Sequence, residues 1–283
     1  MMREAYDYEK YIRTNSFPST WCPGCGDGVI LKAAASVLSD MKIDPNDVMV
    51  VSGIGCSGRM SNYFNTNTLH TCHGRALSFA TGIKLCEPGK TVIVISGDGD
   101  ASAIGGNHLI HAARRNIGVK LLLVNNGIYG MTGGQVSPTT QGGFITETTP
   151  YGNFEPNFNI VDLLTGANAT FVARESVSRI PKLKQVIKAA FQHDGFAAVE
   201  IMSNCHVNLG RRNKMKSPVD MLKFLDASTY PLEKADTMSD EEKADKFPLG
   251  IFVQKNDRQE YSDMYYNTLI PAAKNIVGGR SSK

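Results

Sequence analysis

The sequence predicts an α/β fold with a doubly wound, mainly parallel sheet, an N-terminal arm and a C-terminal extension. Two short runs of β-branched and aliphatic residues, Thr91–Ser96 and Val119–Val124, are separated by one helix-compatible segment, Ala103–Arg115. This order is typical of a βαβ unit, whose parallel strands are buried on both faces. Apolar runs at Val48–Ser52 and Phe196–Met202 are each followed by a polar turn, and we expect them to join the same sheet.

Composition and charge restrict the classes of protein to which the chain can belong. With 283 residues, 42% of them hydrophobic, it can bury a sizeable core, although length alone does not decide between one large domain and two small ones. The net charge of +3 comes from dispersed Lys and Arg residues, apart from the group Arg211, Arg212, Lys214 and Lys216. We interpret that group as a solvated face, so nucleic-acid binding is not expected.

Neither a membrane span nor a signal peptide is expected. No apolar run approaches the roughly 20 residues that cross a bilayer, and the N-terminus is charged and lacks an apolar signal core. Six cysteines could form disulfides in a small secreted chain. In a large α/β chain without a signal, they favour a reducing cytoplasm and a metal-binding or catalytic role.

The chain begins with an arm and a cysteine loop. Residues 1–20 are polar and aromatic, and we expect them to lie on a neighbouring chain or on the domain itself. Cys22 and Cys25 form a C-x-x-C loop, tightened by a proline and two glycines, ahead of an Ala-rich helix at Val29–Leu38. The loop leaves backbone N–H groups free to bond sulfur, and both a redox dithiol and half of a zinc site remain open.

A third cysteine, Cys56, lies in the glycine-rich turn Gly53–Arg59 after the strand at Val48–Ser52. A free cysteine at such a place can also be a small buried hydrophobic residue. The segment Leu69–Arg75 contains two histidines, but no carboxylate or thiol pattern completes a metal site there, and a helix follows it through Leu85. Cys72 and Cys86 have no assignable partners, and we interpret both as packed thiols.

Polar residues follow both strands of the βαβ unit. Asp98 lies between Gly97 and Gly99 just past the first strand, and Asn126 lies just past the second. Open α/β sheets bind ligands at these carboxyl ends, and carboxylate and amide oxygens suit Mg²⁺. The two glycines let the backbone approach a diphosphate closely. A lone Gly-Asp-Gly is common turn chemistry, so the assignment depends on the pairing with the asparagine.

That pairing, Gly97-Asp98-Gly99 and Asn125-Asn126 with residues 100–124 between them, resembles the thiamine-diphosphate motif in residues and spacing. The resemblance implies that Asp98, Asn126 and the carbonyl of Ile128 hold Mg²⁺ against the diphosphate of the cofactor. His73 is expected to make a polar contact to this diphosphate, with a structural histidine as the alternative.

The second half of the chain completes the predicted sheet. The loop Gly127–Gly143 is rich in Gly, Thr and Gln, a composition that suits a segment wrapping a ligand. The later elements are a short helix within residues 159–174, a strand at Thr170–Ala173, a helix at Ser178–His193 and the last parallel strand at Phe196–Met202, which leads to Cys205. We divide the chain into a cofactor and iron–sulfur domain, residues 1–210, and an extension, residues 211–283, expected to contact another subunit.

Four cysteines, Cys22, Cys25, Cys56 and Cys205, are thus expected on one side of the sheet. Four thiolates suit zinc or an iron–sulfur cluster, and spacing does not decide between them because only one pair is close. Over about residues 17–210 the chain resembles the β subunit of 2-oxoacid:ferredoxin oxidoreductases. The motifs that resemble this family are Cys22-Pro-Gly-Cys25-Gly, Gly53-Ile-Gly-Cys56-Ser, His73-Gly-Arg75-Ala, Gly97-Asp-Gly-Asp100, Asn125-Asn126, Tyr129-Gly-Met-Thr and Ser137-Pro-Thr-Thr.

The resemblance implies the thiamine-diphosphate-binding fold and one 4Fe–4S cluster on Cys22, Cys25, Cys56 and Cys205. It also implies a set of cofactor contacts: Ile54, Gly55, Cys56, Ser57, His73, Gly97, Gly99, Asp100, Gly130 and Met131. The pair Gly133-Gly134 is more similar to the 2-oxoglutarate-specific group than to relatives with Lys at the first position, and leaves room for a longer acid. Substrate contacts are expected from Arg59, Thr132 and Gly133, with Arg59 as the cation for a distal carboxylate.

The implied reaction is the CoA-dependent oxidative decarboxylation of 2-oxoglutarate to succinyl-CoA and CO₂ with reduction of ferredoxin, or its reverse. Thiamine enzymes need a glutamate against the aminopyrimidine, and no residue here can be assigned to that role. A 2-oxo-acid-binding module and a ferredoxin-like module are not found either. A separate α subunit, or α and γ subunits, is expected to supply them in a dimer of heterodimers.

Three alternatives remain open from the sequence. The substrate could be pyruvate or a branched-chain 2-oxo acid. The chain could be a non-redox thiamine-dependent decarboxylase or synthase with incidental cysteines, although such enzymes lack the C-x-x-C loop and usually carry all their domains in one chain. It could also be a structural subunit with zinc on its cysteines and a vestigial cofactor motif.

Overall fold

An eight-stranded, mainly parallel sheet forms the centre of the molecule, and a short hairpin lies beside it. The computed structural model describes residues 7–280. The sheet order is β2-β1-β3-β4-β8-β7-β10-β9, with bounds β1 Val48–Ser52, β2 Asn67–His70, β3 Thr91–Gly97, β4 Val119–Asn125, β7 Phe171–Ser176, β8 Ala197–Met202, β9 Thr229–Pro231 and β10 Phe247–Gln254. The hairpin pairs β5 (Ile128–Tyr129) with β6 (Gln135–Val136) in antiparallel register.

The six strands from β2 to β7 in this order are parallel. The chain leaves β1 for β2 on one side and returns to β3 on the other, so the strand order reverses between β1 and β3. Open α/β sheets bind ligands outside the carboxyl ends of the strands at such a reversal. The predicted α/β fold with a doubly wound parallel sheet is confirmed, and the predicted strands at β1, β3, β4 and β8 agree with the structure to within a residue at each end.

Helices cover both faces of the sheet, because alternate strand residues point to opposite sides. On β3, Ile93 and Ile95 belong to one buried cluster, whereas Val92 and Val94 belong to the other. The first cluster includes residues of α1 and α5, and the second includes residues of α2, α3 and α4. The helix bounds are α1 Gly26–Asp40, α2 Ala76–Cys86, α3 Gly106–Arg115, α4 Ile160–Gly166, α5 Ile180–Gln192, α6 Pro218–Ala227, α7 Asp240–Lys243, α8 Tyr261–Met264 and α9 Ile270–Arg280.

The described part of the N-terminal arm lies on the domain itself. Tyr11 is fully buried, and its hydroxyl contacts the carbonyls of Leu38 at 3.1 Å and Ile43 at 2.5 Å. Residues 1–6 of the predicted arm lie outside the described residues. None of the helices within residues 7–280 has the length and apolar character needed to cross a membrane.

The chain after residue 210 adds two strands that sequence patterning did not predict. β10 pairs antiparallel with β7, and β9 pairs parallel with β10. Strand β10 contains Pro248 and has an irregular register between Ile251 and Val253. This C-terminal segment therefore extends the same sheet, and its predicted role in a subunit contact stays a prediction.

Candidate functional site

The predicted site residues lie at the carboxyl edge of the sheet, where the loops after β1, β3 and β4 meet. Together they line one cleft, whose walls are Ile54, Gly55, Cys56, Ser57, His73, Gly97, Asp98, Gly99, Asp100, Asn126, Ile128, Tyr129, Gly130, Met131 and Thr132. The structure therefore brings together every predicted magnesium and cofactor residue, although the sequence places them in four separate segments.

Asp98 is buried at the base of this cleft and is held by residues far along the chain. The hydroxyl of Ser137 donates to its carboxylate, and Thr139 Oγ1 donates to Oδ2 at 2.7 Å. The backbone N–H of Asn126 points to Oδ1 at 3.4 Å. Burial raises the pKa of Asp98 to about 6, against the opposing effect of these donors. A divalent cation at this carboxylate would favour its charged form.

Asn126 and Ile128 line the cleft beside Asp98. Asn126 Oδ1 accepts a hydrogen bond from the backbone N–H of Ile128 at 3.1 Å, which folds the chain back after β4 as in an Asx turn. The Asp98 carboxylate, the Asn126 amide and the Ile128 carbonyl are the hard oxygen donors that Mg²⁺ takes in proteins. These residues fit a magnesium ion that also contacts a diphosphate.

The Asp100 carboxylate joins the loops around the cleft by hydrogen bonds. A Cβ on Gly53 would overlap the Asp100 carboxylate, so only glycine allows this approach. The carboxylate accepts hydrogen bonds from His73 Nδ1, the Gly74 N–H, the Ile54 N–H and the Ser96 hydroxyl. Asp100 and His73 were predicted as cofactor contacts. The structure places both on the cleft wall and gives the Asp100 carboxylate four donors from the protein itself.

Gly99 is needed because the ring of Tyr129 packs against it. A Cβ on Gly99 would overlap that ring, and the Tyr129 hydroxyl donates to the Gly99 carbonyl at 3.0 Å. Residues Gly99–Ile104 form a π-helix ahead of α3, so the helix predicted from Ala103 begins in a different geometry. A π-helical turn places its backbone differently from an α-helix and is frequent at functional sites.

The four predicted cluster ligands, Cys22, Cys25, Cys56 and Cys205, line a second pocket next to the cleft. Cys56 and Gly130 belong to the walls of both cavities. A Cβ on Gly130 would lie 3.4 Å from Cys56 Sγ and 3.5 Å from Cys205 Sγ, which shows how closely the loop passes these thiols. Within residues 7–280, no group of three or more Cys, His, Asp or Glu side chains encloses a single metal ion.

The surroundings of the thiols are buried and incompletely hydrogen-bonded. Burial, followed by the nearby Asp27 charge, raises the pKa of Cys56 to about 12, and burial also raises that of Cys205. Three buried polar atoms of the described residues have no partner: Asp27 Oδ1, Asn204 Oδ1 and His206 Nδ1. All three belong to residues within two positions of Cys25 or Cys205. A pocket with four thiols and unpartnered polar atoms fits a bound iron–sulfur cluster.

The predicted substrate residues are separated by the structure. Thr132 lines the cofactor cleft, whereas Arg59 lines the thiol pocket and is exposed. Gly133 and Gly134 have φ angles of +110° and +103°, in the loop that joins β5 to β6. The double glycine therefore has a backbone reason in addition to the space that a missing side chain leaves.

Sequence reasoning gave no role to several residues that support the site. Ser137 and Thr139 were recognised only as part of a motif, and their contact with Asp98 could not be read from local spacing. Trp21 Nε1 donates to the Cys56 carbonyl at 2.7 Å. Asn208 Nδ2 donates to the Gly130 carbonyl at 2.7 Å and so links the chain after Cys205 to the loop over the cleft.

Comparison with known proteins agrees with this geometry. Residues 53–201 match the family model of the thiamine pyrophosphate enzyme, C-terminal TPP binding domain. A 2-oxoglutarate synthase subunit KorB from Methanocaldococcus jannaschii is 45% identical over 86% of this chain and 90% of its own length. A 2-oxoacid:ferredoxin oxidoreductase subunit beta from Saccharolobus solfataricus is 35% identical over 92% of this chain and 86% of its own. The chain belongs to the β subunits of the 2-oxoacid:ferredoxin oxidoreductases.

A solved structure of this family has the same fold throughout. It is a 2-oxoglutarate:ferredoxin oxidoreductase from Magnetococcus marinus with 2-oxoglutarate, coenzyme A and succinyl-CoA bound. Its chain matches with a TM-score of 0.83 and 31% identity, over 98% of this chain and 97% of that one. The family predicted from the motifs is confirmed, and so is the thiamine-diphosphate-binding fold.

Proposed function

We propose that this β subunit, together with a separate partner subunit, catalyses the CoA-dependent oxidative decarboxylation of 2-oxoglutarate and passes the electrons to ferredoxin. One 2-oxoglutarate, one CoA and two oxidised ferredoxins give succinyl-CoA, CO₂, a proton and two reduced ferredoxins, and the reaction can run in reverse. One observation carries the proposal: Cys56, Asn126, Gly130 and Met131 line both the Asp98 cleft and the thiol pocket. A cofactor and a redox cluster would therefore be neighbours.

The residues of this chain bind and orient the cofactor. Asp98, Asn126 and the Ile128 carbonyl hold Mg²⁺ against the diphosphate, and Gly97 and Gly99 leave room for it. Bound thiamine diphosphate supplies the carbon nucleophile and the electron sink for decarboxylation. The contacts of Asp98 with Ser137 and Thr139 hold the charged ligand in one orientation before the metal binds.

Cys22, Cys25, Cys56 and Cys205 hold one 4Fe–4S cluster in this proposal. Cysteine thiolates are the usual ligands of such clusters, and all four thiols open into one pocket. Asn204 and His206 also line this pocket, and each has a buried polar atom without a protein partner. Cluster sulfurs accept hydrogen bonds, so His206 Nδ1 could donate to one of them, whereas the Asn204 oxygen needs a donor such as ordered water. The two remaining cysteines, Cys72 and Cys86, do not line this pocket. The prediction that they are packed thiols is wrong, because both are exposed.

A partner subunit is part of the proposal because, within residues 7–280, no glutamate lines the cleft where the aminopyrimidine of the cofactor would need one. Relatives that match most of the chain are named as one subunit of an enzyme, which supports separate subunits. The cofactor would then lie between the cleft described above and the partner, in a dimer of heterodimers. The β subunit alone is expected to bind thiamine diphosphate weakly and to show no turnover of 2-oxo acids.

The substrate is proposed to be 2-oxoglutarate. Several relatives at 42–47% identity are named 2-oxoglutarate synthase subunits, and Thr132 on the cleft wall is followed by Gly133, which adds no side chain. A distal carboxylate buried without a cation would cost several kcal/mol. Arg59 and the partner subunit are the candidate sources of that cation. Arg59→Met is expected to lower kcat/KM for 2-oxoglutarate more than for pyruvate, and equal losses would exclude Arg59.

The test uses the subunit co-expressed with its partner and purified without oxygen. Iron, acid-labile sulfide and the visible spectrum report the cluster, and reduction of ferredoxin with 2-oxoglutarate or pyruvate reports the reaction. Serine substitutions of Cys22, Cys25, Cys56 and Cys205 are expected to lower iron content, with Cys86→Ser as the matched control. Zinc in place of iron, or ferredoxin reduction with pyruvate alone, would contradict the proposal.

A further inference from the structure

We infer that the surface around Cys22 docks an acidic one-electron carrier protein, so that electrons leave the subunit on this side. The inference rests on the proposed function and adds to it the place where the carrier binds. Cys22 is exposed, whereas Cys25, Cys56 and Cys205 are only partly so. The thiol nearest to solvent marks the side from which a second protein can approach a cluster in this pocket most closely.

Four exposed cations lie on or directly after the segments that line this pocket, and we call them the basic face: Arg59, Arg211, Lys214 and Lys216. Arg59 lines the same pocket as Cys22. Arg211 comes three residues after residues 204–208, a segment that lines that pocket too. Sequence reasoning interpreted residues 211–216 as a solvated face, and in the structure they follow closely on residues 204–208, which line the pocket.

The backbone fixes the position of these cations relative to the cysteines. The N–H groups of Leu209 and Gly210 both donate to the Cys205 carbonyl, at 3.1 and 2.9 Å, and the Met215 N–H donates to the Gly210 carbonyl at 2.8 Å. Residues 211–214 therefore form a closed loop directly after the turn that carries Cys205. On the other side, the ring of Pro218, two residues after Lys216, packs so closely on Gly24 that a Cβ there would overlap it.

The charges of the basic face are not neutralised within the subunit. Among the side chains that the structure describes, none forms an ion pair or hydrogen bond with Arg59, Arg211, Lys214 or Lys216, whereas neighbouring Arg212 pairs with Glu147. From residue 206 to residue 220 the chain has four cations and one acid, Asp220, whose side chain accepts from the Ser217 N–H at the start of α6. The face therefore keeps a positive potential that attracts an acidic protein.

Exposed apolar groups lie among these cations. Met131 on the rim of the thiol pocket is 45% exposed, and Val219 next to Pro218 is 57% exposed. An apolar centre with a polar rim is the usual composition of a protein–protein contact. Complementary charges mainly raise the association rate and fix orientation, which suits a carrier that must bind, accept one electron and leave. Two such carriers are reduced for each 2-oxo acid oxidised.

The test uses the complete complex, purified without oxygen with its partner subunit. Reduction of an acidic ferredoxin by 2-oxoglutarate and CoA is compared with reduction of methyl viologen, a small cation that needs no docking face. In the double variant Lys214→Asp/Lys216→Glu, we expect KM for ferredoxin at low salt to rise about tenfold. The methyl viologen rate and the iron content should stay at the wild-type values. Asp is chosen at residue 214 because it tolerates the positive φ of +64° there.

The matched control is Lys188→Glu/Lys255→Glu, which changes the net charge equally. Both lysines are exposed; the Lys255 N–H bonds the Thr170 carbonyl at the opposite edge of the sheet. This control should leave KM for ferredoxin unchanged. Ferredoxin reduction by the wild-type complex should also slow as salt is added, because screening shortens the reach of exposed charges.

The outcomes separate this inference from the proposed function. Unchanged KM in the Lys214→Asp/Lys216→Glu variant, or an equal rise in the control, overturns the docking surface while ferredoxin reduction still supports the function. A rate that does not depend on salt also overturns it. If the wild-type complex reduces neither acceptor with 2-oxoglutarate and CoA, the proposed function fails and the docking surface fails with it.

Discussion

At the amino-terminal edge of the sheet, Asn116 is fully buried and its amide is completely bonded by the chain. Its Oδ1 accepts from Thr170 Oγ1 at 2.6 Å and from the Phe196 N–H at 2.9 Å, and its Nδ2 donates to two backbone carbonyls at 3.2 Å. At the carboxyl edge, Asp27, Asn204 and His206 each have a buried atom without a partner. Both edges contain buried polar groups that the chain bonds, but among the described residues the buried side-chain atoms without a partner all lie at the carboxyl edge.

This difference distinguishes residues whose hydrogen bonds stabilise the fold from residues whose polar atoms are available to a ligand. A buried polar atom without a hydrogen bond costs about 1–3 kcal/mol, and the amino edge avoids this cost. Lys120 there donates to the His193 and Gly195 carbonyls, and Glu260 accepts from the Gly118 N–H at 2.6 Å. At the carboxyl edge the subunit alone keeps this cost at three buried atoms, and we expect a bound group or ordered water to lower it. Substitutions at the two edges should therefore affect different measurements.

The largest effect is expected for Asp98→Asn at the carboxyl edge. The amide keeps an oxygen that accepts from Ser137 and Thr139, but it removes the negative charge beside Mg²⁺. Affinity for thiamine diphosphate in the presence of Mg²⁺ should fall at least about hundredfold, measured by calorimetry on the assembled complex. The melting temperature of the cofactor-free protein should stay the same or rise, because burial disfavours the charged form of Asp98.

The control for this substitution is Asp226→Asn, which removes an exposed carboxylate from α6. It should change neither cofactor affinity nor melting temperature. Wild-type affinity in Asp98→Asn would show that Asp98 is not a ligand. A large fall in its melting temperature would show that Asp98 holds the fold as Asn116 does, and would remove the distinction between the two edges.

The sequence alone predicted the central strands and most of the site residues, because short local patterns identify both. Strands such as Val119–Asn125 are buried at every residue, and the apolar run Leu121–Val124 identifies this one although Lys120 precedes the run. The edge strand β2 and the strand next to the other edge, β10, are partly exposed and depend on their neighbours, so no pattern identifies them. The motif around Asp98 was visible, but its contact with Thr139 joins distant segments. Arg59 shows the same limit, because its position beside the thiols follows from the fold.

A smaller effect, on stability instead of binding, is expected for Asn116→Gly at the amino edge. Glycine is chosen because the backbone φ of Asn116 is +55°, where alanine would add strain. The Phe196 N–H and the other bonded groups lose their partner, so the free energy of unfolding should fall by roughly 2–4 kcal/mol. Cofactor affinity of the folded protein should not change. Urea unfolding and calorimetry on the same preparation measure both.

The chain offers a matched control for this prediction in Asn168→Gly. Asn168 has the same residue type and a φ of +60°, but its side chain is exposed. Its replacement should change stability by a few tenths of a kcal/mol at most. An equal loss in both variants would mean that the backbone conformation, and not the buried hydrogen bonds, makes Asn116 important.

The smallest effect is a pH dependence that also belongs to the amino edge. Burial, and then the nearby Lys120 charge, lower the pKa of His193 to about 4, while Asp194 opposes the shift. His193 Nε2 hydrogen-bonds Thr170 Oγ1 at 2.8 Å. The Thr170 hydroxyl donates to Asn116, so we assign the proton to the histidine nitrogen. The neutral His193 ring therefore belongs to the same hydrogen-bond network as Asn116.

The sign of this pH effect follows from the lowered pKa. The unfolded chain binds a proton at His193 below pH 6.5, but the folded chain does so only near pH 4. The contribution of neutral His193 to the free energy of unfolding is therefore fully present above pH 6.5 and is lost as the pH falls towards 4. We expect a loss of about 1–2 kcal/mol, below the roughly 3 kcal/mol that the whole displacement would give. His193→Gln keeps a donor and removes the titration, so its unfolding free energy should fall less between pH 7 and about pH 4.5. His111→Gln on the surface of α3 should behave as wild type. If His193→Gln shows the wild-type slope, the histidine is not held neutral, and its hydrogen bond to Thr170 does not couple the amino edge to pH.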